Sequence, residues 1–421
     1  IMNKISSNIK FLNKIKKIFF PFYKSKDLDF VFQVLEKDKK KNEEVAMFVG
    51  GSVRKHIRTE QVDDIDIATV FSPDEIKNKF KNTEIRVLET GIDHGSVTLL
   101  INNTKIEITT LRKDIKTDGR HAEVSYTDNW KDDSSRRDFS INAIYMNRKG
   151  KIFDPQSGVK DLENNIVKFI GDPGKRIEED YLRIIRFIRF AIQYNSEIEK
   201  STLDAIKLNL NGVNNISKER ILNELLKILK LKNFNNIIQK EDLKNIFSLV
   251  FPEFKYLNRI EKIKELPSSF YINKNIILAT LLLDESNNHE YFCHKYKTSN
   301  NLKKKLEIIQ SILKDYNLDK NYFTINLKKN VYLYGKEKLN DLNILTFLVN
   351  KKREYSNFLK TLQNIRNTKI PLFPYNGDYL IKKGLAQGKL VGKILKKLEG
   401  EWINNNYSLP ENKVIEIIKK Y

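Results

Sequence analysis

Near Gly171 the hydrophobic pattern of this chain changes period. Before it, short apolar runs such as 45–49 and the alternating Lys105-Ile106-Glu107-Ile108-Thr109 are separated by turn residues, the pattern of strands whose side chains alternate between two faces. After it, Lys-rich stretches such as 219–231 and 302–316 repeat apolar residues at helical spacing. A chain with this order folds as an α+β head followed by a helical body. Pro371, Pro374 and Gly377 interrupt the helical pattern before 379–398 resumes it, which sets off a tail.

The 421 residues suffice for about two to four domains with a core that needs no covalent staples. Cys293 is the single cysteine, so no intramolecular disulfide or zinc ribbon can be built, and a reducing compartment fits best. The longest apolar stretch, 276–283, falls well short of the roughly 20 residues that span a bilayer, and no membrane helix is expected. Lys and Arg number 76 against 54 Asp and Glu, a net charge of +22. That balance suits a polyphosphate partner, although the Lys-, Asn- and Ile-rich composition also follows from A- and T-heavy codons. Before Asp27 there is Lys but neither Arg nor acid, which reads as a basic arm. A mitochondrial targeting segment is the alternative to a cytoplasmic location.

Val45–Val49 runs into Gly50 and Gly51, then Ser52, Val53 and Arg54, the outline of a strand, a glycine turn and a helix start. Glycines let backbone N–H groups approach a triphosphate, with Arg54 assisting, though paired glycines also mark ordinary turns. Next comes Val62-Asp63-Asp64-Ile65-Asp66-Ile67. On a strand, Asp64 and Asp66 share one face while Ile65 and Ile67 face the core. Two converging carboxylates are costly without a cation between them, and Mg²⁺ is the expected one, the alternative being a solvated strand edge that carries acidic residues. Glu107, away from Ile106 and Ile108, supplies a third acid from a neighbouring strand. Gly-Gly-x-Val-Arg, Asp-x-Asp and this third carboxylate resemble the head domain of the polymerase β superfamily. Lys55 departs from the Asp or Asn that usually follows the Arg there.

Arg136-Arg137-Asp138-Phe139-Ser140-Ile141-Asn142-Ala143 offers donors and acceptors for triphosphate oxygens and ribose hydroxyls, or a helix cap with surface ion pairs. The periodicity of 179–190 predicts one helix, with Tyr181, Ile184, Ile185 and Ile188 on its apolar arc and Asp180, Arg183, Arg186 and Arg189 around the other side. Asp180 and Arg183 form either a modest surface pair or a base-edge reader, since a carboxylate accepts an exocyclic amine and Arg donates to a ring acceptor. Asp154-Pro155-x-x-Gly158-x-x-Asp161-Leu162 reads as a turn opening a helix, and Ser217-x-Glu219-Arg220-Ile221-x-x-Glu224-Leu225 as a capped helix bracing the pocket.

Together these motifs, in order over about 29–230, resemble the class II tRNA nucleotidyltransferases, with Ser140 where the family has Thr. The resemblance implies a head with a mixed sheet followed by an all-helical neck, body and tail. The expected divisions are a basic segment 1–28, head 29–160, neck 161–230, body 231–345 and RNA-binding tail 346–421. It implies addition of CCA to tRNA from CTP and ATP, with Asp64, Asp66 and Glu107 catalytic and Asp64 and Asp66 on Mg²⁺. Gly50, Gly51, Arg54, Arg136, Arg137, Asp138, Asn142, Asp180, Arg183 and Arg186 would hold the nucleotide. Asp180 and Arg183 select its base, and Arg186 meets phosphate. Poly(A) polymerases share this head and neck and are the alternative. Thr90-Gly91-Ile92-Asp93-His94-Gly95-Ser96-Val97-Thr98 is similar to the CCA enzymes instead, and 111–124 resembles the flexible loop of those that add all three nucleotides. A non-catalytic RNA-binding protein is a further alternative, which three retained acids in a basic cleft argue against. No His-Asp dipeptide marks a phosphohydrolase, and His289, Cys293 and His294 lack a fourth metal ligand. The expected assembly is a monomer or homodimer.

Overall fold

A computed structural model describes residues 21–41, 43–92, 95–118, 121–267, 270–284 and 286–420, with the side chains of 114–124 outside that description. The chain forms two compact units. The first reaches to Lys255 and takes in Lys295–Lys297; the second comprises Tyr256–His294 and the chain from Thr298 onward.

The first unit is built on a mixed sheet. Its strands are β1 (Ala46–Val49), β2 (Ile65–Thr69), β3 (Arg86–Leu88), β4 (Ser96–Ile101), β5 (Thr104–Thr110), β8 (Tyr145–Met146) and β9 (Ile152–Phe153), in spatial order β3-β4-β5-β2-β1-β8-β9. Only β2 and β5 run parallel; the other pairs are antiparallel. β6 (Arg112–Asp118) and β7 (His121–Tyr126) form a separate antiparallel hairpin where the sequence suggested a loop. The strand β2 is central, and its far half is enclosed on both faces: Ile67, Ala68 and Thr69 are all buried. Alternation therefore holds only at its open end, where Asp66 is half-buried and Asp64, just before the strand, is exposed.

Local chemistry accounts for the elements that position the site. Helix α1 (Lys26–Leu35) buries Leu28, Val31, Phe32 and Leu35, one stripe at helical spacing, with Phe32 against Phe48 of β1 at 4.8 Å between ring centroids. Gly50 (φ 69°, ψ −124°) adopts a conformation open to glycine and starts helix α2 (Gly51–Ile57) directly after β1. Helix α3 (Pro73–Phe80) opens with a capping box between Ser72 and Glu75 and with Pro73 in its first turn. Helix α4 (Trp130–Ser135) is capped by Asn129. Asp154 accepts from the backbone N–H groups of Gly158 and Val159 at 2.8 and 2.9 Å, opening helix α5 (Gly158–Glu163). A Cβ on Gly158 would lie 2.2 Å from the Ser140 carbonyl oxygen, so this glycine lets the helix press on the 136–143 run.

Past Gly171 the described residues are helical apart from turns. The helix expected over 179–190 is instead two. Helix α6 (Pro173–Glu179) ends at Asp180, which is extended (φ −158°, ψ 104°), and α7 (Leu182–Tyr194) begins after it. Asp180 Oδ1 accepts from the Leu182 N–H at 3.1 Å, so an acidic side chain satisfies a helix-start donor and stops the preceding helix. Ile184, Ile185 and Ile188 are fully buried as expected, but so are Phe187 and Phe190. Helices α8 (Lys200–Asn209), α9 (Lys218–Ile228) and α10 (Glu241–Val250) complete the unit. Ser217 precedes α9 without the expected side-chain cap.

The second unit is helical, from Lys274–Leu282 through Glu411–Ile418. Near its end Leu380, Leu385, Ile394, Leu398, Trp402, Leu409, Val414 and Ile418 make a small core. The helical stretch expected over 379–398 is broken there into Gly377–Lys382 and Lys389–Asn404, with Gly384 and Gly388 at positive φ between them. Among the described residues no helix is long and apolar enough to cross a membrane.

Candidate active site

The open end of β2 presents the acids. The register pairs Asp66 with Glu107 of β5, and Glu107 in turn with Thr98 of β4. Burial, then the charges of Glu107 and Asp64, raise the Asp66 carboxyl to about 6, against the smaller opposing pull of Arg54 and Arg137. Positive charge beside that carboxyl would favour its ionised form. Among the described residues no three His, Cys, Asp or Glu side chains converge closely enough to hold an ion by themselves, so the three acids do not close into the single ligand cluster that the sequence suggested. Asp64 and Asp66 are the pair that would share a divalent ion, whose other ligands would be water and phosphate, with Glu107 beside them as an exposed neighbour.

The glycine turn faces this edge. A Cβ on Gly50 or Gly51 would sit 3.7 or 3.9 Å from Asp66 Oδ2, so the turn's backbone passes close to the carboxylate. Lys55, the departure from the superfamily pattern, bonds to Asp63 and holds that exposed acid below its usual range. Arg54, expected to assist at the triphosphate, has its Nη2 beside this turn, 3.9 Å from where a Cβ on Gly51 would sit, and is also a structural tie. Its Nε donates to the Tyr194 hydroxyl at 3.0 Å, its Nη1 to Asn142 Oδ1, and its guanidinium lies 5.0 Å from the Phe190 ring centroid. It ties α2 to α7 and acts on Asp66 as a nearby charge.

Beyond the turn stands a wall of arginines, each already partnered. Arg186 donates to Asp138 Oδ2 through Nε and Nη2, at 2.7 and 2.6 Å. Asp138 Oδ1 accepts from Asn142 Nδ2 at 2.7 Å and from the Phe139 N–H at 2.9 Å. Burial would raise the Asp138 carboxyl, yet Arg186 and Asn142 overcome it and hold the group at about 2. Thus Arg54, Asn142, Asp138 and Arg186 form one hydrogen-bonded chain, and the Asp and Asn proposed for the ribose are also the rivets between α2, the 136–143 run and α7.

Arg136 and Arg137 meet on a residue that the sequence reading passed over, Asp133 of α4. It is fully buried. Its Oδ1 accepts from Arg136 Nη2 and Nε at 2.5 and 2.8 Å; its Oδ2 accepts from Arg137 Nε at 3.0 Å and the Tyr145 hydroxyl at 2.7 Å. Burial works against the ionised form, but Arg137 and Arg136 prevail and hold the carboxyl at about 2. An acid three and four residues ahead of two arginines on a helical turn was the available signal.

Asp180 and Arg183 do not pair with each other. Asp180 Oδ2 accepts from Arg220 of α9 at 2.7 Å, whereas Arg183 bonds to Glu179 and to the Arg176 carbonyl. Both side chains are therefore held by neighbours. Arg189 bonds to Glu224 of α9 at 2.7 Å, so the last neck motif braces α7 through Arg220 and Glu224. Asp93 and His94 lie outside the described residues, while the flanking Thr90 and Thr98 hydroxyls bond at 2.7 Å.

A mixed sheet with an acidic strand end, a glycine turn facing it and a helical neck lined with arginines defines a nucleotidyltransferase of the polymerase β type. Residues 46–168 match the family model described as the poly A polymerase head domain, and 196–257 the one described as a probable RNA- and SrmB-binding site of polymerase A. The chain is 30% identical over 408 residues to the mitochondrial CCA tRNA nucleotidyltransferase 1 of Homo sapiens, covering 90% of this chain and 88% of that protein. It is 32% identical over 403 residues to the CCA-adding enzyme of Ligilactobacillus salivarius, covering 89% and 92%. Its fold is similar to that of the Bacillus stearothermophilus CCA-adding enzyme solved in complex with CTP, with a TM-score of 0.72 and 21% identity over 93% of this chain and 95% of that one. The chain belongs to the class II CCA-adding enzyme family. Nucleotidyltransferases of this family generally use a divalent metal.

Proposed function

We propose that this protein adds C, C and A to the 3′ end of tRNA from CTP and ATP, without a nucleic-acid template and with Mg²⁺. The observation that carries the reading is the acidic edge of Asp64, Asp66 and Glu107 facing a glycine turn, with Asp66 raised by burial and its acidic neighbours, in a member of this family. The RNA 3′-oxygen bonds to the α-phosphorus as the bond to the departing pyrophosphate breaks. Asp64 and Asp66 would hold Mg²⁺, which would supply charge neutralisation at the reacting oxygens. Glu107 accepts the hydroxyl proton. Gly50 and Gly51 let the triphosphate approach the backbone, Arg136 and Arg137 face its oxygens, and Asp138 and Asn142 meet the ribose. Asp180 and Arg183 read the base edge, with Arg220 and Glu179 fixing their orientation, and Arg186, whose Nε and Nη2 are held by Asp138, meets phosphate.

In this reading the head is 29–160, the neck 161–230, the body 231–345 and the tail 346–421. The exposed Lys382, Lys389, Lys393 and Lys396 of the tail meet tRNA phosphates. The enzyme works in the cytoplasm, the mitochondrion being the alternative that its vertebrate relatives' names raise.

The test is incubation with Mg²⁺ and tRNA ending at the discriminator base, with CTP, ATP or both. Addition of CC from CTP alone and CCA from both supports the reading. A long ladder of A from ATP alone would make the protein a poly(A) polymerase. tRNA binding without any addition would leave an RNA-binding protein.

A further inference from the structure

We propose that Asp133 is a positioning residue that couples the β6–β7 hairpin to the arginine pair of the nucleotide site. The hairpin grows directly out of the sheet: Leu111, between β5 and β6, is fully buried and its N–H donates to the Thr69 carbonyl at 2.7 Å. Arg112, the first hairpin residue, is held by both of its backbone polar groups. Its N–H donates to Asp133 Oδ1 at 3.4 Å, and its carbonyl accepts from Arg136 Nε at 2.9 Å. Arg136 in turn rests on the same Asp133 oxygen. The other oxygen carries Arg137 and the Tyr145 hydroxyl. One buried carboxylate thus joins the root of the hairpin, both arginines and strand β8.

The geometry gives the joint a direction. Arg136 can turn toward a triphosphate only by loosening its Nε bond to Arg112 or its hold on Asp133, because the planar fork presents its donors in fixed directions. Either change alters what holds the hairpin root. Nucleotide binding therefore changes the order of the hairpin, and by linkage the hairpin's position changes nucleotide affinity by the same factor. The proposal rests on Arg136 and Arg137 being nucleotide ligands, as read above. It adds that Asp133 makes the hairpin part of the nucleotide site.

The experiment is amide hydrogen exchange on the full chain, with and without saturating CTP, for the wild type, Asp133→Asn and Arg136→Lys. In the wild type, CTP changes exchange across 112–118 and 121–126. Asp133→Asn, checked for a cooperative thermal transition, still binds CTP at higher concentration but loses that response, and Arg136→Lys, which keeps the charge without the fork, loses it too. In parallel, KM for CTP in Asp133→Asn rises about tenfold with a smaller change in kcat, within the usual range of coupling. An unresponsive hairpin in the CTP-saturated wild type, a full response in either variant, or an unchanged KM overturns the proposal. Should Asp133→Asn not fold, the wild type and Arg136→Lys decide it. Failure of the wild type to add nucleotides speaks against the proposed function instead, and is read in a separate assay.

Discussion

The acidic edge and the arginine wall of the candidate site treat charge in opposite ways. At the edge, Asp66 sits among like charges and is pushed up to about 6. On the wall, Asp133 and Asp138 are more deeply buried and yet held at about 2, because each is wrapped by arginine. Burial has the same sign in both places; the neighbours decide the outcome. A wall whose acids and arginines pair with one another needs no further ion, whereas an edge of like charges would gain from a cation.

The sharpest way to break this contrast is to neutralise the edge. Asp66→Asn should lower nucleotide addition by about 10³-fold or more while the fold persists, since a charge-stabilising contribution of several kcal/mol is lost. Steady-state rates with thermal melting check it, and a variant that keeps wild-type kcat would remove Asp66 from the site. Next in size is the wall. Asp138→Asn leaves the half-buried Arg186 without its carboxylate and should cost about 2–3 kcal/mol in denaturant unfolding, below the range for a fully buried pair. The same pairing sets an acid limit. Asp138 and Asp133 have depressed values, so their contribution is full above the unfolded carboxylate range near 3.8 and is lost as pH falls through about 2. An acid titration of stability that is flat over this window would contradict the pairing. Smallest is a shift in melting temperature of a few degrees on adding Mg²⁺ to the wild type, absent in Asp66→Asn, by the mass-action stabilisation of a bound ligand. Equal shifts in both would place the ion elsewhere.

Much of the edge was legible in the sequence. Period-two alternation put Asp64 and Asp66 on one face and Ile65 and Ile67 on the other, and the alternating run around Glu107 marked the neighbouring strand. The enclosure of Ala68 and Thr69 was not legible, because it depends on β2 being central in the sheet. The wall was legible only as a set of residue types. Its pairings are long-range: Arg54 meets Tyr194 and Asn142, and Arg186 meets Asp138, across stretches that no local period spans. The break at Asp180 escaped because apolar spacing continues on both sides of it, while the cause is one carboxylate bonded to the Leu182 N–H and Arg220.

By itself the sequence determined that strands come first and helices after, where the acids gather, and which arginine-rich run and helix follow, because alternation and helical spacing are set by neighbours a few residues apart. Tertiary structure alone decided which of those charges would be spent on the fold and which left open. Arg54 was turned into a tie between α2 and α7, and Asp133 into the anchor of two arginines, while at Asp66 burial and the charges of Glu107 and Asp64 outweigh the pull of Arg54 and Arg137. A buried ion's state depends on which charges surround it in space, and residues distant along the chain become its neighbours only when the chain has folded.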